Sequence, residues 1–328
     1  MSKCAPLSVA AILVALCVWP ALSMSDDQSP AQRAATLRHH KLDPAAPLES
    51  RITAAPASVL KMFADAGLPT PTAHTLTATE RRRLSAAIAV LPPLHRRILA
   101  ERLRGMSFLD GMPNTALTST VNPNDPYRIF DITLRAGVLG EDVSTFLTEK
   151  ERTCFDAAGS ALSVSIDAGT TDAIAYVLLH EATHVIDSSL RLTPAVRPGD
   201  QPAAGSPVSV FTKGVWRERT IIDSRYREPF LERVKFRAGG EVLPINRAES
   251  VYEALRRTPF ASVYGSSNWH DDLAEYVTWY HLTQKLEQPY RIVIRDAGKE
   301  TFAYEPMKSQ IVRTRFDQMD KFYTDGVP

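Results

Sequence analysis

Two histidines four positions apart, with a glutamate directly after the first, constrain this chain more than any other feature: His180-Glu181-Ala182-Thr183-His184. Residues four apart share a face only on an α-helix, where both imidazoles can reach one metal ion. The surroundings agree. Thr171–Leu190 reads as one long helix capped by Thr170 or Thr171, with Ile174, Val177 and Leu178 as the apolar side that holds it against a sheet. Glu181 lies beside the imidazole face. It cannot easily bind the same ion, but it can take a proton from a water held there. Two imidazoles and a carboxylate suit zinc better than magnesium or calcium, which prefer all-oxygen sites. A catalytic zinc keeps three protein ligands and an open position for water, whose pKa falls to about 7.

A third ligand is therefore expected further along. The best segment runs from Tyr264 to Tyr276, YGSSNWHDDLAEY. Asp271 and Glu275 are four apart and share a helix face. One can ligate the metal while the other hydrogen-bonds a ligand imidazole and fixes its tautomer. The spacing leaves open which does which. His270 and Asp272 compete as site residues, and His270 can stabilise an oxyanion.

H-E-x-x-H, followed by Tyr264-Gly265-x-x-Asn268 and by Asp271-x-Leu273-Ala274-Glu275, resembles the gluzincin-type zinc metallopeptidases. The resemblance is greatest to the peptidase region of anthrax lethal factor and related secreted bacterial metallopeptidases. It covers residues 180–187 and 263–276. It implies His180 and His184 as zinc ligands and Glu181 as general base. Asp271 falls on the third-ligand position, Glu275 on the supporting acid one turn later. Tyr264 matches the tyrosine that stabilises the oxyanion or protonates the leaving group. Two departures stand out. The family uses Glu where this chain has Asp271, so the second helix must sit closer, or Glu275 must ligate after a one-turn shift. The segment between His184 and Asp271 is also longer than in lethal factor.

The implied activity is zinc-dependent hydrolysis of peptide bonds in a peptide or protein substrate. The alternatives are an inactive secreted binding protein on the same scaffold, or a zinc hydrolase of non-peptide amides such as cell-wall material. By the same resemblance, the Ala161–Ile166 strand is either a sheet edge that aligns an extended peptide or an ordinary inner strand.

The rest of the sequence bounds compartment and architecture. Val9–Trp19 is a run of eleven apolar residues before Pro20, and Lys3 is the one charge ahead of it. Residues 1–25 read as a secretory signal, too short to span a bilayer, so the mature chain is expected to be secreted or periplasmic without stable membrane insertion. Its loss also removes Cys4 and Cys17, leaving Cys154 alone as a buried structural thiol. The formal charge of +1 argues against a nucleic-acid partner.

Residues 26–54 are polar and rich in Pro and Ala, and read as a loose arm. Helices follow at Ala57–Ala66, Glu80–Val90 capped by Thr79, and Leu94–Arg104 started by Pro93. Strands are expected at Met106–Leu109, Arg128–Leu134 and Ala161–Ile166, with a helix at Glu141–Arg152. Beyond the loop at 194–208, helices are expected at Glu218–Arg237 (broken by Pro229), Arg247–Arg256 and Asp271–Lys285. Strand Tyr290–Arg295 and helix Lys308–Phe322 close the chain. The fold class is α+β: an N-terminal helical subdomain to residue 104, then from 105 to 328 a zincin-like catalytic domain whose small mixed sheet packs on the two ligand-bearing helices.

Overall fold

A computed structural model describes residues 29–194 and 209–324. The expected signal segment and most of the expected loop at 194–208 lie outside the described residues. No helix among the described residues is long and apolar enough to cross a membrane.

The chain is mixed α+β with small sheets. Its centre is the helix Ala173–Leu190, with fifteen buried residues. Apolar residues surround it on every side, as expected of a helix packed all round rather than on one face. Asp172, not Thr170 or Thr171, holds the cap position. Helices Ala78–Ala89, Pro93–Arg102 and Trp269–Tyr280 and the strand Ala116–Thr120 all pack against it. The helix Ala78–Ala89 starts two residues earlier than the sequence suggests. Thr77 accepts from Glu80 N at 3.3 Å while Glu80 Oε2 accepts from Thr77 N at 2.7 Å. That reciprocal pair outcompetes Thr79 as the cap.

Residues 29–51 do not form a loose arm. Ser29 and Gln32 make another capping box for the helix Pro30–His39. Arg51 is buried and donates to the carbonyls of Leu99 and Leu103 at 2.8 and 2.6 Å, and to those of Asp43 and Ala100 at 2.9 and 2.8 Å. One guanidinium thus closes the end of the helix Pro93–Arg102 and pins the N-terminal segment to it. Composition alone conceals this, because it is the work of one long-range side chain.

The larger sheet has four strands in the order Thr72–Ala73, Leu103–Asp110, Phe130–Arg135, Ala116–Thr120. The middle pair is parallel and the outer pairs antiparallel. The smaller sheet is antiparallel, Lys299–Tyr304, Arg291–Asp296, Leu162–Asp167. The strand expected at Ala161–Ile166 is thus outermost in its sheet, yet it offers nothing to a peptide. Helix Val143–Arg152 covers its outer side with Ser144, Thr148 and Arg152, one turn apart. Ala168 N donates to Ser144 Oγ at 2.9 Å and Ile166 N to Thr148 Oγ1 at 2.9 Å, while Arg152 Nε donates to Val164 O at 3.2 Å.

Two further expectations fail. Glu218–Arg237 is not a helix; it contains a small hairpin, Trp216–Glu218 with Ile221–Ile222, and a five-residue helix, Pro229–Arg233. Arg237 donates to the carbonyls of Thr220 (2.6 Å) and Ser266 and so ties this irregular stretch to the segment before the helix Trp269–Tyr280. Lys308–Phe322 is likewise two short pieces, Gln310–Arg313 and Phe316–Phe322.

Cys154 is fully buried, and burial pushes its thiol pKa up. Beside it sits Glu151, also buried, its Oε2 accepting from Tyr252 Oη at 2.9 Å. Burial raises its carboxyl from 4.5 to about 7. A folded state that holds this proton more tightly than the unfolded chain is stabilised fully below pH 4.5 and loses that contribution as pH rises through 7. The shift is worth on the order of 3 kcal/mol. Denaturant unfolding at pH 5 and pH 8 is expected to show this loss in the wild type and a much smaller one in Glu151→Gln. Identical losses in the two proteins would assign the titration to another group.

Candidate metal centre

The helix Ala173–Leu190 presents His180 and His184 on one face, with Nε2 atoms 3.2 Å apart. The helix Trp269–Tyr280 approaches from the other side. Asn268 starts it, accepting from the backbone of His270 and Asp271 at 3.0 and 3.1 Å. The same residue donates through Nδ2 to Asp271 Oδ2 at 2.5 Å, and Ser267 Oγ adds a 3.1 Å bond. With Oδ2 so held, Oδ1 points at both imidazoles, 3.6 Å from His180 Nε2 and 3.5 Å from His184 Nε2. These three residues form a largely buried group that could hold a metal ion.

Gly265 packs against this second helix: a Cβ there would lie 3.3 Å from Glu275 Cβ and 3.4 Å from Ser262 Oγ.

Glu275 takes a different place. Its Oε1 is 3.1 Å from Nδ1 of His180, the ring nitrogen facing away from the group. An acid there cannot also reach an ion on the Nε2 side. Glu275 is almost wholly buried and saturated with donors: Tyr176 Oη on Oε1, and on Oε2 Ser262 Oγ at 2.6 Å and Trp279 Nε1 at 3.2 Å. Burial works to raise its carboxyl, but Lys150 and His180 outweigh it and bring it down to about 2. Burial likewise disfavours a charged His180, yet Asp271 and Glu275 raise it to about 9. Asp271 ends well below the usual carboxylate range, since its two histidine partners overcome burial. The paired carboxylates therefore demand a positive charge between them.

Glu181 follows His180 on the helix and is buried. Thr118, on the outer strand Ala116–Thr120, donates to its Oε2 at 2.7 Å. Tyr264 is also brought in. Its ring centroid is 5.7 Å from that of His180, and burial together with the neighbouring Asp271, Glu181 and Glu275 pushes its hydroxyl pKa well up, so it stays a donor.

The two competing candidates have other duties. His270 Nδ1 faces Asp187 Oδ2 at 2.8 Å, and Trp269 Nε1 donates to its Nε2 at 3.1 Å. Thr193 joins the same carboxylate through N and Oγ1, both at 2.7 Å. This latch ties the end of the helix Ala173–Leu190 to the start of the helix Trp269–Tyr280. Asp272 is fully buried and takes Trp216 Nε1 at 2.8 Å and a two-pronged contact from Arg315 at 2.8 and 3.0 Å.

Sequence reasoning missed Tyr176, although it stands one turn before His180 on the same face. It also missed Thr118, Lys150, Ser262 and Asp187. For Thr118, Lys150 and Ser262, whose contacts join distant parts of the chain, no local signal exists. Compared with protein families, curated proteins and solved structures, the chain matches none.

Proposed function

We propose that this chain is an exported, zincin-like zinc metallopeptidase that hydrolyses peptide bonds. One observation carries the reading: the spacing of the three converging atoms. Tetrahedral ligands bonded at about 2.1 Å lie about 3.4 Å from one another. The separations here are 3.2, 3.5 and 3.6 Å. Two nitrogens and one oxygen at that spacing match the three protein ligands of a catalytic zinc rather than the four of a structural site.

Bound there, zinc supplies Lewis acidity, polarising a carbonyl and acidifying a water. The chain's own residues supply the rest. Glu275, facing Nδ1 of His180, keeps that proton in place and leaves Nε2 to donate its lone pair. Glu181 accepts the proton of the attacking water and hands it to the leaving amine. Thr118 fixes the plane of that carboxylate by its bond to Oε2. Tyr264, kept protonated, offers a hydrogen bond to the oxyanion.

A peptide substrate is favoured by the strand that borders the base. Ala116–Thr120 is outermost in the four-stranded sheet and carries Thr118, so an extended backbone paired along it would pass beside Glu181. This places substrate alignment on a different strand from Leu162–Asp167, for which the sequence leaves an aligning edge and an ordinary inner strand equally open.

Purified mature chain is expected to hold one zinc by elemental analysis and to cleave an unfolded protein. A strong chelator should abolish cleavage, and added zinc should restore it. Amide release from cell-wall material without peptide cleavage would move the substrate class. Zinc without either activity would make this a binding protein, and a chain that takes up no zinc would end the reading.

A further inference from the structure

We propose that Lys150 is a positioning residue of the metal site, its ammonium group tying the Glu275 carboxylate to the ring of Tyr264; this rests on the zinc reading above.

Lys150 stands on the helix Val143–Arg152, whose Ser144, Thr148 and Arg152 are committed to the strand edge. It leaves a different side of that helix and runs inward, and its side chain is one-fifth exposed. Its Nζ lies 3.6 Å from Glu275 Oε1, donates to Tyr176 Oη at 3.4 Å, and stands 3.8 Å from the centroid of the Tyr264 ring. The rings of Tyr176 and Phe236 are further out, at 5.6 and 5.9 Å. Tyr176 in turn donates to the same Glu275 oxygen. One cation therefore touches both the acid that orients His180 and the tyrosine placed for the oxyanion.

The energetics favour a function over packing. A carboxylate as buried as Glu275 is costly unless paired. Its other donors, Tyr176, Ser262 and Trp279, are neutral, and His180 must give its Nε2 to the metal. Lys150 supplies the remaining full charge. Over Tyr264, a partly desolvated ammonium attracts the ring face, which favours one ring position. A lysine kept only for packing would need neither contact.

Zinc affinity measured by competition with a chromogenic chelator tests this. The proteins are wild type, Lys150→Met, Lys150→Arg, Glu275→Gln and the Lys150→Met/Glu275→Gln double variant, each checked for native near-UV circular dichroism. Lys150→Met is expected to weaken zinc binding about ten-fold or more, in the range for residues that support ligands. Lys150→Arg, which keeps the charge, should stay within about three-fold of wild type. The Met substitution should add nothing once Glu275 is Gln, because the two act as a unit. At saturating zinc, Lys150→Met should lower kcat with KM nearly unchanged. Wild-type affinity in Lys150→Met overturns the proposal, as does an undiminished effect in the Glu275→Gln background. If Lys150→Met does not fold, Lys150→Gln replaces it under the same criteria. A wild-type chain without zinc affinity overturns both this inference and the reading beneath it, whereas tight wild-type binding with an indifferent Lys150 overturns this inference alone.

Discussion

Replacing Glu181 with Gln is expected to leave zinc content unchanged and to remove nearly all turnover. The amide has the shape of the carboxylate and can still accept from Thr118, whose bond to Oε2 is 2.7 Å in the wild type. It cannot take a proton. General-base catalysis contributes about 10²–10⁴-fold, so kcat should fall by that factor while KM moves little. The metal should stay, because Glu181 is not among the three converging residues. The comparison is of zinc per chain and of kcat on one peptide substrate. Retained turnover in a zinc-loaded variant would reject Glu181 as the base.

Asp271→Ala is expected to have the largest effect on metal content. It removes one of three ligands and takes away the carboxylate oxygen to which both Ser267 and Asn268 donate. Zinc should be lost on dialysis. Glu275→Ala touches the far side of His180 and should weaken zinc about 10–100-fold without deleting a bond to it. The order matters more than either magnitude. If Glu275→Ala loses the metal and Asp271→Ala keeps it, the second helix carries the ligand one turn later than the geometry indicates.

How much of this was legible in advance differs by element. His180 and His184 declare a shared face through spacing alone, and the buried helix Ala173–Leu190 begins within two residues of where its apolar pattern starts. Asp271 and Glu275 were recognised as a pair, but i and i+4 spacing cannot rank them. What ranks them is Asn268, which caps the helix and holds one carboxylate oxygen of Asp271 so that the other faces the imidazoles. That effect has no periodicity. The stretch from 218 to 237 shows the opposite error. Its composition permits a helix, but the stretch folds instead as a small hairpin and a five-residue helix, and its own Arg237 donates to the carbonyls of Thr220 within it and Ser266 beyond it. The buried Arg51 made a seemingly slack N-terminus part of the folded body in the same way.

The helix that seals Leu162–Asp167 has a consequence for how molecules of this protein meet. Ser144, Thr148 and Arg152 occupy backbone groups that a second copy would need in order to prolong the smaller sheet at this edge. Edge-to-edge stacking through that strand, a common route to insoluble fibres, is hindered by three side chains, and the plug leaves pairing by a foreign strand to the remaining edges, Lys299–Tyr304 in the same sheet and Ala116–Thr120 in the larger one.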